Sequence, residues 1–399
     1  MVAGAVPWII SVDDHLIEPP DLFHDRLPAK FREQTPRVVH LPWKRGGESR
    51  ALGITPATSG PTTDFWHVED IYVAIPTVEV AAGMPPEQVT HEPISFAEIR
   101  PGCYQVKERL RDMDAAKIDR SLCFPNSMRF CGQLFLQLLD KDFALACVHA
   151  YNDFMVEEWA GESGGRLIPL CLVPLWDAEL AAQEVRRNAA RGVRAVAFSE
   201  LPAALDLPSI HDKNGYWLPF IEACDGTGTV ICMHTGSGSR VPVSSPDAPG
   251  CVRLTTVNFN AQIAFADWVF SGLLPKYPSL KLAFSESQIG WMPYVLERMD
   301  RIWRMGNAIA RIDPAFINEP SSYLGGRVFG CFFEDDFGIA SCDAIGIDHI
   351  TFESDYPHQD SSWPHTHDRL TAALSRMPEG DAFKVARGNA IRMLELDAV

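Results

Sequence analysis

Short, almost uninterrupted apolar runs recur along the whole chain, separated by longer stretches in which apolar residues return every three or four positions. The runs are WIISVDDH (8–15), DRSLCFPN (119–126), RLIPLCLVP (166–174), VRAVAFSE (193–200), TVICMHTG (229–236), KLAFSE (281–286), RVFGCFFEDD (327–336) and HITFESD (349–355). Continuous rather than alternating apolar residues mark parallel strands buried on both faces. The stretches between them include amphipathic patterns at 107–118, 178–192, 261–278, 291–306 and 381–396, which predict helices. Eight such strand–helix units predict an α/β chain folded as a (β/α)8 TIM barrel, one domain over residues 1–399.

One segment breaks the rhythm. Residues 40–105 show no sustained period and carry breakers in GITPATSGPTT (53–63) and MPPEQVTHEP (84–93), yet hold Phe65, Trp66 and Tyr72. A long aromatic-bearing insertion after the first strand reads as a lid or cover over one barrel end.

Composition narrows the partners. With 46% hydrophobic and 22% charged residues the 399-residue chain is ordinarily globular, and its net charge of −17 opposes binding to nucleic acid or an anionic membrane. No apolar run reaches the roughly 20 residues of a spanning helix, and the N-terminus lacks a basic leader pattern, so a cytoplasmic location is expected. The ten cysteines are dispersed without a CxxC pair and read as reduced core residues. The expected partner is a small-molecule substrate, and the expected assembly a homo-oligomer, the homodimer being commonest.

The chemistry lies at the strand ends, where a barrel of this kind builds its site. Asp13 and His15 are two apart, so a strand projects them from one face towards one metal ion, while Asp14 points the other way and reads as structural. His234 ends the fifth run, Glu286 the sixth and Asp355 the eighth; Glu200 and Glu334 read as rim acids. Imidazoles combined with carboxylates suit one divalent ion, Zn2+ first, with Mn2+ or Fe2+ as oxygen donors predominate. His358, three residues past Asp355, is placed to hydrogen-bond a ligand or substrate. Arg240, Trp66 and His67 are placed as substrate contacts by their expected nearness to the barrel mouth.

VDDHLIEPPDLF (12–23), RLRDMDAAKIDRSLCFPN (109–126), MHTG (233–236), ESQIGWMPYVLERMD (286–300), ESDYPHQDSSWP (353–364) and RGNAIRML (387–394) occur in an order and spacing that resembles the amidohydrolase-related family of the amidohydrolase superfamily. That family includes aminocarboxymuconate semialdehyde decarboxylase and aromatic-acid decarboxylases. The resemblance implies a single-ion barrel enzyme with Asp13, His15, His234 and Asp355 as ligands, and with Asp355 accepting the proton of a metal-bound water. Aspartate stands first where many relatives have histidine or glutamate. On the sixth strand Glu286 replaces the histidine that moves a proton in the decarboxylases, and a glutamate donates poorly near neutral pH unless its pKa is raised. The reading from sequence is therefore a metal-dependent hydrolase cleaving a C–N or C–O bond of a small cyclic or carboxylated molecule. Its alternative is a nonoxidative decarboxylase of an aromatic or unsaturated acid, and a third possibility is a binding barrel without catalysis.

Overall fold

The computed structural model describes residues 6–45 and 54–397. All eight predicted runs form barrel strands: β1 (Ile9–Leu16), β2 (Ile118–Pro125), β3, β4 (Ala195–Ala197), β5 (Val230–His234), β6 (Lys281–Ser285), β7 (Val328–Phe332) and β8 (Ile350–Phe352). Strand β3 is split by Pro169, which has no amide hydrogen to donate, into Leu167–Ile168 and Leu170–Cys171. Its first half pairs with β2 and its second with β4, while β1 pairs with both β2 and β8. These parallel pairings close the sheet on itself and leave no edge.

Every residue of β1, β5, β7 and β8 is buried, as continuous apolar runs require. Helices cover the barrel, among them Lys141–Phe154, Ala178–Ala189, Phe259–Phe270 and Met292–Met305. Aspartates start two of them: Asp140 accepts from the amides of Asp142 and Phe143, and Asp177 from those of Glu179 and Leu180, which satisfies donors that the first turn leaves free. Nine of the ten cysteines are buried and all are unpaired, as dispersed core thiols should be. Among the described residues no helix is long and apolar enough to cross a membrane.

The inserted segment is more regular than its sequence suggests. Arg37–Arg45, Ile54–Pro56, Thr62–Val68 and Ile71–Ala74 form an antiparallel four-stranded sheet, and the remainder runs as turns and short 3-10 pieces to Cys103; residues 46–53 lie outside the described residues. The segment is tied to the barrel at both strand ends that matter for the site. Ile17 donates to the Cys103 carbonyl at 2.8 Å, and the loop after β8 is held by Ala82 donating to Pro357 O at 3.0 Å and Gln359 to Val78 O at 2.9 Å.

A buried carboxylate fastens two helices beside β3. Glu184 accepts from Asn152 and Asn188 at 2.8 Å each and from Arg187 at 2.8 Å, and its other oxygen faces His149 at 3.1 Å; Asn152 in turn bonds both backbone groups of Leu172. Burial alone would raise its pKa, but the bond from His149 and those from the two asparagines outweigh it and bring it down to about 2. A depressed carboxylate stabilises the fold above its unfolded pKa and loses that contribution as pH falls towards the folded value, here from about 4.5 to about 2, on the order of 3 kcal/mol. Thermal melts should show that Glu184→Gln is less stable than wild type at pH 7 and that the gap narrows steadily across this acid window; a gap constant with pH would refute the assignment.

Candidate metal centre

The two first-strand residues reach the same point in the barrel mouth. A register shift between Ser11 and Asp14 interrupts the pairing of β1 with β2, the kind of irregularity that re-aims side chains beside a site. His15 Nε2 lies 3.7 Å from Asp13 Oδ1, 3.4 Å from Asp355 Oδ1 and 3.2 Å from His234 Nε2, and His234 Nε2 lies 3.6 Å from Asp13 Oδ2. Each of the four side chains is at most 1% exposed. Asp355, like Glu286, has a left-handed backbone (φ 50° and 51°), an uncommon conformation outside glycine that clusters at functional sites.

The protonation pattern follows from the partners. His234 Nδ1 faces the Thr235 carbonyl at 2.6 Å, and a carbonyl only accepts, so Nδ1 carries the hydrogen and Nε2 presents a lone pair to the cluster. Burial lowers the pKa of His234 to about 4, and burial followed by the neighbouring His358 holds His15 well below its ordinary value. Both rings are thus neutral, the form that binds a metal. Burial also acts to raise Asp355, but His358 and His15 outweigh it and keep this carboxyl below the usual range. Asp13 is pushed well up by burial, then by Glu353 and Asp355.

Both carboxylate oxygens of Asp13 and Oδ2 of Asp355 are buried without a hydrogen-bond donor, and Asp355 Oδ1 faces only the rings of His15 at 3.4 Å and His358 at 3.2 Å. Uncompensated buried carboxylates of this kind cost several kcal/mol. Asp13, His15 and His234 bring ligand atoms within 4.8 Å of one another, and so do His15, Asp355 and His358, the two groups sharing His15; carboxylates and imidazoles gathered in this way are the donor types that suit a divalent cation.

The surrounding residues hold this set in place. Asp14 projects away from it and accepts from the hydroxyls of Ser11 (3.0 Å), Ser354 (2.6 Å) and Ser121, and from the Tyr356 amide (3.2 Å), joining β1, β2 and the loop after β8. Glu18 accepts from the amides of Asn126, Ser127 and Met128 at 3.0, 2.8 and 3.2 Å. Arg109 is buried and donates to the carbonyls of Gly102 and His15. His358 stacks on His15 with centroids 3.7 Å apart, while Phe130 stacks on His234 at 4.0 Å. His358 Nδ1 lies 3.2 Å from Asp355 Oδ1, and its Nε2 lies 3.1 Å from Asn126 Oδ1.

Glu286 stands beside the cluster, its Oε2 3.6 Å from His234 Nε2, and lines with His358 an open groove of about 900 Å³ whose other walls include Ala82, Met84 and Trp363. Burial, then Asp355 and Glu353, push its pKa well above the ordinary glutamate value. Glu353, absent from the sequence-derived set, accepts from the Glu286 amide at 2.9 Å and from the Cys331 thiol, and burial raises it to about 8. Its signal was available: Glu353 and Asp355 have the same two-residue spacing as Asp13 and His15.

Other predicted residues fall elsewhere. Trp66 is 2% exposed in the core, edge-on to Phe23, and His67 stacks on Tyr72 at 4.3 Å; neither has a bond or ring contact with the cluster. Arg240 is an exposed residue of the loop after β5, 4.0 Å from Asp206. Glu200 accepts from the amides of Gly236 (2.9 Å) and Gly238 (3.5 Å), bracing that loop, and Glu334 is exposed near Arg369 at 3.9 Å.

The amidohydrolase family model matches residues 66–396. An amidohydrolase from Mycobacterium avium subsp. paratuberculosis superposes with a TM-score of 0.70 at 19% identity, covering 97% of this chain and 99% of that one. A 5-carboxyvanillate decarboxylase from Novosphingobium aromaticivorans, with bound manganese and 3-methoxy-4-hydroxy-5-nitrobenzoic acid, gives 0.64 at 16% identity over 99% and 98%. A 2,6-dihydroxybenzoate decarboxylase from Rhizobium gives 0.58 at 18% over 98% and 100%. No curated protein sequence matches the chain.

His234→Ala and Asp355→Asn should each abolish stoichiometric divalent-metal binding, measured by elemental analysis after dialysis, while circular dichroism still reports the barrel. Glu286→Gln should retain most of the metal. Full metal occupancy in His234→Ala would refute the assigned donor set.

Proposed function

The chain belongs to the amidohydrolase family, and from that premise we propose that this enzyme is a metal-dependent, nonoxidative decarboxylase of an aromatic or unsaturated carboxylic acid. The observation that carries the reading is the placement of Glu286. It is a carboxyl group set beside a one-ion donor cluster and open to the mouth groove, where a proton must be delivered. The full-length likeness to aromatic-acid decarboxylases, one of them with bound manganese, supports the same choice.

Asp13, His15, His234 and Asp355 would hold the ion, which when bound anchors the acid and draws charge from its reacting carbon. The residues of this chain do the rest. Glu286, whose pKa burial, then Asp355 and Glu353, push upward, is the carboxyl placed to hand a proton to the carbon as the bond to the carboxylate breaks and carbon dioxide leaves. His358 bridges Asp355 and Asn126 and fixes the orientation of that ligand.

The sequence argument against decarboxylation was that glutamate is a poor proton donor. Its burial among carboxylates raises its pKa and so weakens that argument, and on this reading hydrolysis, the first expectation, becomes the second. Manganese replaces zinc as the ion we favour, on the strength of the manganese-bearing decarboxylases that share the fold.

The manganese-loaded enzyme, offered a panel of hydroxylated benzoates in deuterium oxide, should release carbon dioxide and yield a product with one deuterium on the former carboxyl-bearing carbon. Glu286→Gln should slow that release by about 100-fold or more, within the range of lost general-acid catalysis. Incorporation of solvent oxygen-18 into an organic product without carbon dioxide would establish hydrolysis instead.

A further inference from the structure

In the small chamber under the inserted sheet the polar wall closes on itself, Glu79 Oε2 accepting from Asn126 Nδ2 at 2.6 Å. A second group around Asp13 does not close. Strands β1, β8 and β7 are neighbours in the barrel, and they bring together Asp13, Glu353 and Cys331, whose ligand atoms lie within 4.8 Å of one another. Cys331 pairs across β7 and β8 with Thr351, and Glu353 comes two residues after Thr351, so strand alternation sets the thiol and the carboxyl on one face.

All three residues are buried, Asp13 and Glu353 completely and Cys331 to within 2%. Glu353 Oε2 is occupied, accepting from the Glu286 amide and the Cys331 thiol. Its Oε1 has no donor, and neither has either oxygen of Asp13. Three carboxyl oxygens left bare beside a thiol, away from water, are costly unless a positive charge joins them.

One divalent ion on the histidine side leaves much of the charge standing. Asp13, Glu286, Glu353 and Asp355 gather at this end of the barrel, and the charged side chains acting on them most strongly are other acids and the histidines His15 and His358, with no lysine or arginine among them. Two cations about 3.5–4 Å apart on a shared carboxylate are a recurrent answer to such crowding. The donors here also differ in kind from the imidazole group. Thiolate sulfur selects soft or borderline ions such as zinc, whereas manganese prefers oxygen.

We propose that Asp13, Cys331 and Glu353 form a second cation site, joined through Asp13 to the donor set of His15 and His234, and that it takes a thiophilic divalent ion, zinc in preference to manganese. On binding, the S–H bond of Cys331 breaks, its proton passes to solvent and the sulfur lone pair goes to the ion, with no change of oxidation state. Neither the reaction nor the substrate enters this assignment.

Cadmium, the heavier congener of zinc, reports on the site because its bond to a thiolate gives an ultraviolet charge-transfer band that oxygen and nitrogen ligands do not. The full chain, stripped by dialysis against a chelator and reloaded with one equivalent of manganese, should take up about one equivalent of cadmium with that band while elemental analysis shows the manganese retained. Zinc should displace the cadmium, and a tenfold excess of manganese should not. Cys331→Ser should lose the band, and Glu353→Gln should weaken cadmium binding by about tenfold or more. Cys251→Ser, which removes the one exposed thiol, should change neither. No band in wild type at saturating cadmium would overturn the proposal, leaving a proton rather than a cation between Asp13 and Glu353. A band that survives Cys331→Ser or vanishes with Cys251→Ser would overturn it too, as would displacement by manganese. Should Cys331→Ser not fold, undiminished cadmium affinity in Glu353→Gln would be equally decisive against it.

Discussion

Charge without compensation is the constraint around which this molecule is built. Asp13 and Asp355 bring three oxygens with no donor to a buried point in the barrel mouth, beside the neutral imidazoles of His15 and His234. Folding such a set is costly unless something positive joins it. A cation bound there would relieve that penalty. Burial, then Asp355 and Glu353, raise the pKa of Glu286 as well, so the unpaired carboxylates and the raised glutamate belong to one concentration of buried acids.

A second layer keeps that crowding from dispersing. Asp13 and Asp14 are neighbours with opposite tasks because a strand turns alternate side chains to opposite faces. Asp13 is left without donors, whereas Asp14 takes four bonds and ties three strand ends together. Glu353 acts likewise from β8, gripping the amide of Glu286 and the thiol of Cys331. Buried acids thus serve as fasteners where they are satisfied and, on the proposed reading, as ligands where they are not.

The barrel was legible in the sequence because parallel strands buried on both faces leave unbroken apolar runs, and every one of the eight runs became a strand. Asp13, His15, His234, Asp355 and Glu286 were legible because strand ends converge on one mouth, so position along the chain translated into position in space. The inserted sheet was not. Its strands carry prolines such as Pro42 and Pro56 and are only partly buried, so neither period stands out in Thr62–Val68. Trp66 and His67 were assigned to substrate from their neighbourhood in the chain, yet packing turned Trp66 into the core and set His67 against Tyr72. Asn126 and Glu79 came together only through folding, since one follows β2 and the other belongs to the insert.

The insert leaves β1 and comes back to it at nearly one place, where the amide of Ile17 meets the carbonyl of Cys103. Arg109 reinforces the return by holding Gly102 and His15 together. A loop whose ends are already joined places little tension on the body that carries it, and closure entropy rises only slowly with its length. Evolution can therefore exchange the intervening segment as a cassette, remaking the roof of the chamber while the ligand-bearing strands beneath keep their register.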